Sequence, residues 1–382
     1  MYDICIIGAG ASGMMAAVTA KRENNNAKII VLEKLGVPGK KLGVTGNGRC
    51  NISNINCKNH AKVLEVFKSI GVLTRIDGEG RLYPYSEDAK DVVTALTSAM
   101  SRLGVRVKCG DGVASAGRNS EGFEIITEAG SVVKSRKLLI AAGGKAGPKF
   151  GTVGDGTKLA KAFGHEITRL APSLTGIEVY EDISHLSGLR EKCKASLFLD
   201  GKTVREESGE IQFTKYGISG ICAFNLSKYI KIPEGEPLKE GFKRYGIKID
   251  FLPDIENGEA FLKERKSLLH EDYMVSLVKG ALAKYVGERA SKDVRKVSEM
   301  LKAFSLTPKN LRGWEFAQVT SGGVRCEDVD FRTMESKLVE GLYFSGEVMD
   351  YDGICGGYNL QYAWETGIKA GKYMAICLKK CE

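Results

Sequence analysis

The sequence predicts an α/β fold built on a parallel sheet, and three observations carry that expectation. Tyr2–Ile7 is a short, mostly apolar run of the kind that a strand buried on both faces requires. Gly8, Gly10 and Gly13 follow at once, and the alanine- and methionine-rich stretch from Ser12 to Arg22 reads as a helix. Lys28-Ile-Ile-Val-Leu-Glu33 then reads as the next strand, completing a β-α-β unit of about 30 residues.

Composition is consistent with this and excludes disorder as the main state: of 382 residues, 43% are apolar and 27% charged. Glycine stands at 46 and proline at 8, a balance that favours close backbone approach over proline-rich linkers. The net charge of +9 is spread along the chain without a block of like charges, so it suits phosphates, carboxylates, nucleic acid or membrane headgroups without choosing among them. Ten cysteines without a Cys-x-x-Cys pair read as reduced thiols, Cys381 included, and point to the cytoplasm. The apolar start carries Asp3, lacks a basic leader and is broken by glycines, and no apolar run approaches the roughly 18 residues of a membrane span. No association with a membrane is therefore expected.

Further along, residues 36–59 lack any periodicity and form a long loop rich in Gly, Asn and basic residues, a length that usually signals function. Val92, Val93, Leu96, Ala99, Met100 and Leu103 repeat at helical spacing behind Glu87 and Asp88. Val105–Cys109 is a strand, residues 110–134 a small antiparallel meander, and Leu138–Ala142 a return to the parallel sheet. A second glycine-rich stretch, Gly143–Gly156, precedes a helix from Thr157 to Phe163. The expected organisation is a domain made of residues 1–167 and 313–382, a β-rich insert over 168–256 with a hairpin at Asp200-Gly201, and a helical insert over 257–312. A last strand, Leu342–Ser345, and a closing helix from about Asn359 to Leu378 return the chain to the first domain.

Gly8-Ala-Gly-Ala-Ser-Gly13 meets a set of linked physical demands. Gly8 allows a tight turn, Gly10 lets backbone touch a pyrophosphate, Gly13 permits close helix–strand packing, and the helix N-terminus faces the negative charge. Glu33, 20 residues beyond Gly13 at a strand end, is placed to bind a ribose hydroxyl and repels a 2′-phosphate. An adenine dinucleotide such as FAD or NAD is expected there rather than NADP.

With those residues in place, a resemblance emerges. IIGAGASG at the N-terminus, KKLGVTGNGRCNISN (Lys40–Asn54), LLIAAGGKAGPKFGTVGDG (Leu138–Gly156), GEIQFTKYGISG (Gly209–Gly220), VTSGGV (Val319–Val324), TMESK (Thr333–Lys337) and GLYFSGEVMDYDGICGGYNLQYAWETG (Gly341–Gly367) occur in this order. The chain resembles bacterial FAD-dependent oxidoreductases often labelled aminoacetone oxidase-like, a glutathione-reductase-like branch with bile-acid Δ4,6-reductase-type members. The resemblance implies FAD held by both chain ends in a Rossmann-like domain, with a β-barrel-like insert and a helical insert. Family members commonly carry Ser-Tyr-Pro-Lys where this chain has Lys145–Lys149, and Val-Pro-Leu near Leu174–Ile177, so substrate choice is expected to differ.

Candidate cofactor contacts follow from these motifs. They are Gly8, Gly10, Ala11, Ser12, Gly13, Glu33 and Lys34 in the first unit of the fold; Lys41, Gly46, Asn47, Gly48, Arg49, Cys50 and Asn51 in the long loop; and Val113, Ala142, Gly143, Gly144 and Asp155. From the far end come Gly323, Gly346, Glu347, Asp350, Gly357, Tyr358, Asn359 and Leu360. Asn47, Arg49 and Asn51 offer fixed donors to a planar ring, Cys50 reads as a small packing residue, and the helix entry at Gly356-Gly357 would stabilise a reduced, anionic flavin. Thr320 and Tyr216 are the hydroxyls that could donate a proton, with Thr214–Ser219 expected to approach from the insert. Four histidines lack ligand spacing, and no metal is assigned.

The expected function is hydride transfer between FAD and a small-molecule organic substrate, with NAD(P)H as transient co-substrate because a second dinucleotide fingerprint is missing. By resemblance, the substrate is either a conjugated double bond in a steroid-like 3-oxo compound or an amine of the aminoacetone type. A flavin-bearing tRNA partner is the rival from another class, disfavoured because no basic stretch interleaved with aromatics is evident. The sequence leaves the oligomeric state open.

Overall fold

The computed structural model describes residues 1–233 and 235–379; Cys381 lies outside the described residues. The chain divides into two compact units, Met1–Ala171 with Val319–Glu382, and Pro172–Gln318.

In the first unit, β1 (Tyr2–Ile7), α1 (Ala11–Glu23) and β2 (Ile29–Glu33) form the expected crossover, and β1 pairs in parallel with β2 from Ile4–Ile29 to Ile7–Leu32. The sheet continues on one side to Arg106–Cys109 and on the other through Val132–Ile140 to Leu342–Phe344, all parallel. The C-terminal strand thus lies two places from the N-terminal one. Ile4, Ile6, Val31, Leu139 and Phe344 are fully buried, as a sheet covered on both faces demands.

One difference concerns the meander. Its third strand and the returning parallel strand are a single strand, Val132–Ile140, whose first half pairs antiparallel with Gly122–Thr127 and whose second half pairs in parallel with β1. The predicted helix behind Glu87 and Asp88 spans Ala89–Arg102, with Asp88 as its cap, accepting from the Lys90 N–H at 2.8 Å.

The closing helix, Tyr358–Lys379, crosses α1 at close range. Gly367 and Gly371 lie directly against the carbonyl oxygens of Ser12 and Ala16, where a Cβ would overlap them. Small residues one turn apart let two helix backbones approach this closely.

The second unit is built on a seven-stranded antiparallel sheet, ordered Phe304–Leu306, Tyr245–Asp250, Arg190–Leu199, Lys202–Thr214, Gly217–Ser219, Ile177–Val179, Pro308–Leu311. Its two edge strands are consecutive in the chain with only Thr307 between them, so the sheet must curl until its edges meet, in barrel fashion. Asp200 and Gly201, at φ 49° and 79°, turn the expected hairpin.

Residues 258–302 do not stand apart as an insert of their own. The helices Gly258–Leu269, Gly280–Arg289 and Val294–Lys302 bury Leu262, Val286, Val297 and Leu301 in one core with Ile247, Ile249 and Phe304 of the sheet. An amphipathic helix must bury its apolar face, and here the barrel supplies the partner.

Candidate functional site

The turn after β1 is shaped by three different constraints. Gly8 has φ 103°, and a Cβ there would come within 2.5 Å of the Ala141 carbonyl oxygen. A Cβ on Gly13 would overlap the carbonyl of Gly8 itself. Gly10 differs: its φ is an ordinary −83°, and a Cβ there would meet nothing within 4 Å. Open space therefore lies directly ahead of α1, whose N-terminus has no side-chain cap. The N–H groups of the first turn, at Ala11, Ser12 and Gly13, have no intrahelical partner and leave a place for an anion.

Glu33, at the end of β2, is pre-oriented by backbone. One carboxylate oxygen accepts the Ala9 N–H at 2.8 Å and the other the Leu35 N–H at 2.9 Å. Each oxygen keeps a lone pair for a diol, the arrangement a ribose requires. Beside it, Lys34 pairs with Asp155 at 2.9 Å. Burial opposes the Asp155 carboxylate, but its bonds to Lys34 and Lys158 outweigh this and hold the carboxyl below its usual range. Val113 begins the strand that follows Gly110 and Asp111, whose N–H groups donate to the carbonyls of Leu35 and Glu33.

The long loop is fastened to the start of the closing helix. The Asn51 side chain donates to the Ser53 carbonyl at 2.8 Å and accepts from the Gly357 N–H at 3.0 Å. Asn54 donates to the Gly356 carbonyl at 3.1 Å, Ser53 Oγ donates to Gln361 Oε1 at 2.6 Å, and the Trp364 indole donates to the Ile52 carbonyl at 3.0 Å. Gly46, Asn47, Gly48 and Cys50 all take left-handed backbone, at φ 56–83°. Cys50 is fully buried, and burial pushes its thiol up to about 12, against a smaller opposing pull from Thr45. A buried thiol so far from ionising packs rather than reacts.

Two of the predicted residues already have protein partners. The Arg49 guanidinium lies over the Tyr83 ring at 4.7 Å and 3.6 Å from Glu87. Asn359 accepts from the Gly353 N–H at 2.7 Å and donates to the Gly353 carbonyl at 3.0 Å, so its amide shapes the 353–357 loop. Tyr358 and Leu360 flank it in the first turn, both half-buried.

A third cluster joins distant segments around Glu347. Its carboxylate accepts from Lys41 Nζ at 2.8 Å and from the Thr320 N–H at 2.9 Å, while Lys41 also donates to the Ala146 carbonyl at 3.0 Å. Thr320, fully buried, accepts the N–H groups of Lys145 and Ala146 at 2.7 and 2.9 Å. A Cβ on Gly144 would come within 2.9 Å of Glu347 Oε1. Gly143, at φ 74°, and Ala142 lead into this loop from the sheet. A Cβ on Gly346 would press on Ser12, and one on Gly323 would meet the Met349 backbone at 2.5 Å; the Asp350 N–H donates to Val324.

Tyr216 lies in the second unit, where the Arg312 guanidinium covers its ring at 4.2 Å and Gly176 leaves room for its hydroxyl. A cavity of about 770 Å³ in that unit, walled by Tyr273, Met274, Ala283 and Gly287, contains none of the predicted residues. The clamps by Ser53, Gln361 and Trp364 were not anticipated, because no local pattern marks residues that meet across the length of the chain. The Gly367–Gly371 spacing alone was a readable signal.

A glycine turn with room for a diphosphate, a diol-ready carboxylate and two chain ends locked together form the framework of an FAD-dependent oxidoreductase, and that is the class of this protein. The model of the HI0933-like protein Rossmann domain matches residues 2–69 and 55–373, and the chain belongs to this family. It is 32% identical to the 3-dehydro-bile acid delta(4,6)-reductase of Clostridium scindens, over 98% of this chain and 99% of that one. It is 27% identical to the ribosomal RNA dihydrouridine synthase of Escherichia coli, over 96% of each. Among solved structures, a 3-ketosteroid-delta4-(5alpha)-dehydrogenase from Rhodococcus jostii shares the fold at TM-score 0.52 and 15% identity, over 98% and 96% of the two chains. No helix among the described residues is long and apolar enough to cross a membrane.

Proposed function

We propose that this enzyme reduces a carbon–carbon double bond conjugated to a carbonyl in an apolar, steroid-like 3-oxo substrate, with NAD(P)H as electron donor. The observation that carries the reading is the 32% identity with a 3-dehydro-bile acid reductase over nearly the whole of both chains. Bound FAD would supply the two-electron carrier between donor and substrate.

The chain's own residues would do the holding. Gly8–Gly13 and the first-turn amides of α1 would hold the diphosphate, and Glu33 would bind the adenosine ribose. Lys34 and Asp155 close beside that end, with Val113 near the adenine. The loop from Gly46 to Asn51, fastened to Gly357, and the helix entry at Tyr358–Leu360 frame the ring system, while Lys41, Glu347, Asp350, Gly323, Gly346 and Ala142–Gly144 line the middle. Thr320 acts as a positioning residue, its oxygen accepting the two N–H groups of Lys145 and Ala146, and Tyr216 is the candidate proton donor of the second unit.

A second reading has support from the 27% identity with a ribosomal RNA dihydrouridine synthase. Hydride delivery to a double bond conjugated with a carbonyl also describes the reduction of a uracil ring, so the chemistry is common to both substrates. The deciding experiment is an anaerobic assay of reduced holoenzyme against a 3-oxo-Δ4 steroid acid and against unmodified ribosomal RNA. Rapid reoxidation by the steroid with saturation of the double bond is the expected result. Reoxidation by RNA alone transfers the assignment to the nucleic acid, and reoxidation by neither removes both.

A further inference from the structure

The first unit carries a second cluster suited to nucleotide chemistry, outside the Gly8–Gly13 turn. Arg49 and Arg75 converge on Glu87, whose two carboxylate oxygens each lie 3.6 Å from one guanidinium. Both arginines are about half exposed, and both separations are longer than a hydrogen bond. Two cations therefore share one loosely held carboxylate, leaving an excess positive charge at the surface. Arg75 also lies over the Tyr85 ring at 4.6 Å and donates to the Tyr85 carbonyl, and Tyr85 is 64% exposed, so an aromatic residue accessible to solvent stands beside the cations.

The backbone here is strained. Asn47, Cys50 and Glu87 all adopt left-handed φ without being glycine, at 56°, 56° and 53°. Such residues persist where the surroundings dictate them, often at ligand clamps. Glu87 is held by its N–H to the Pro84 carbonyl, and the next helix begins with the Ala89 N–H on the Gly48 carbonyl at 2.7 Å. The Ile52 N–H donates to Leu82, and Ser53–Asn54 pairs with Arg81–Pro84. The cluster is therefore continuous with the loop that Asn51 fastens to Gly357.

We propose that Arg49, Arg75 and Tyr85 form the docking surface for the phosphorylated adenosine half of NADPH. The guanidinium pair takes the 2′-phosphate, displacing Glu87 as counter-ion, and the base stacks on Tyr85. Two guanidiniums and one ring match a single phosphate and a single base, which favours a mononucleotide-sized group over a polymer needing a long basic stripe. Glu33 is unsuited to a 2′-phosphate, so the two nucleotide sites select different dinucleotides. This proposal rests on the assignment of NAD(P)H as donor.

The test is calorimetric titration of FAD-loaded protein with adenosine 2′,5′-bisphosphate, a probe that cannot reduce flavin. The wild type should bind it, more weakly as salt rises, and Arg75→Glu should weaken binding by at least about tenfold with flavin content and melting temperature retained. Tyr85→Ala, which removes only the ring, should weaken it by about threefold or more and serves if Arg75→Glu misfolds. No binding by the wild type, or binding unchanged in a folded variant, overturns the proposal. So does a single-stranded RNA whose binding depends on Arg75 when that of the bisphosphate does not. NADPH that binds through Arg75 without bleaching the flavin would remove the donor assignment alone and leave the docking surface standing.

Discussion

The side-chain oxygen of Asn51 accepts the backbone N–H of Gly357 at 3.0 Å, joining the long N-terminal loop to the entry of the closing helix. Replacing the buried Asn51 by Ala removes this bond, at a cost of about 0.5–1.5 kcal/mol. Asn51→Ala should melt earlier and release FAD more readily, by about tenfold in dissociation constant, read by flavin fluorescence after dilution. Unchanged retention of flavin would show that the clamp has no part in holding it.

Gly10 separates folding from binding. Its φ is ordinary and a Cβ meets only open space, so Gly10→Val should fold with a stability within about 1 kcal/mol of the wild type. It should nevertheless purify colourless, because the added side chain stands where the diphosphate would lie. Gly13→Val, overlapping the Gly8 carbonyl, should instead fail to fold. Yellow, flavin-replete Gly10→Val would exclude the diphosphate from this turn.

The helix crossing can be tested without touching any proposed ligand contact. Gly371→Val places a branched side chain against the Ala16 carbonyl and must spread α1 from the closing helix. A loss of about 1–3 kcal/mol in chemical denaturation is expected, the usual cost of overpacking a core. A variant as stable as the wild type would mean that the crossing is loose.

Two hydroxyls with different surroundings should respond differently. Thr320→Ser keeps the oxygen that Lys145 and Ala146 bond and should remain active, while Thr320→Val orphans two N–H groups and should lose stability without altering the shape of the pH–rate profile. Tyr216→Phe should lower turnover with stability unaffected. Turnover lost in a folded Thr320→Val but kept in Tyr216→Phe would reverse the roles.

Asp111 predicts an acid-side effect. Its bond to Lys108 foremost, then those to Thr127 and the Ala129 N–H, hold its carboxyl down to about 2, below the usual carboxylate range near 3.9. A carboxyl depressed in the folded state stabilises above its unfolded pKa, and that contribution is lost as pH falls through the folded value. The stability difference between wild type and Asp111→Asn should therefore be constant near neutrality and shrink between about pH 4 and pH 2. A difference independent of pH in that window would show that the Asp111 bonds do not depend on its charge.

Much of the first unit was legible because its determinants are local. Gly8, Gly10 and Gly13 sit at fixed offsets from a buried strand, and Glu33 ends the next one, so a single continuous stretch contains both the turn and the carboxylate beside it. The hairpin at Asp200-Gly201 was readable for the same reason, since its left-handed turn favours those residues. The organisation of the second unit was less so. Residues 257–312 read as a separate helical insert because amphipathic spacing shows that a face must be buried but not what buries it.

By itself, then, the sequence determined the class of fold and the glycine turn after the first strand, since those follow from residues within one turn or one strand of each other. Only the tertiary structure decided where side chains with several possible partners went. Arg49 lies on Tyr83 and Glu87, Asn359 closes on Gly353, and Thr320 holds two N–H groups. A flexible or multivalent polar group is satisfied by whatever the fold brings within about 3 Å, and that is set by contacts between segments hundreds of residues apart.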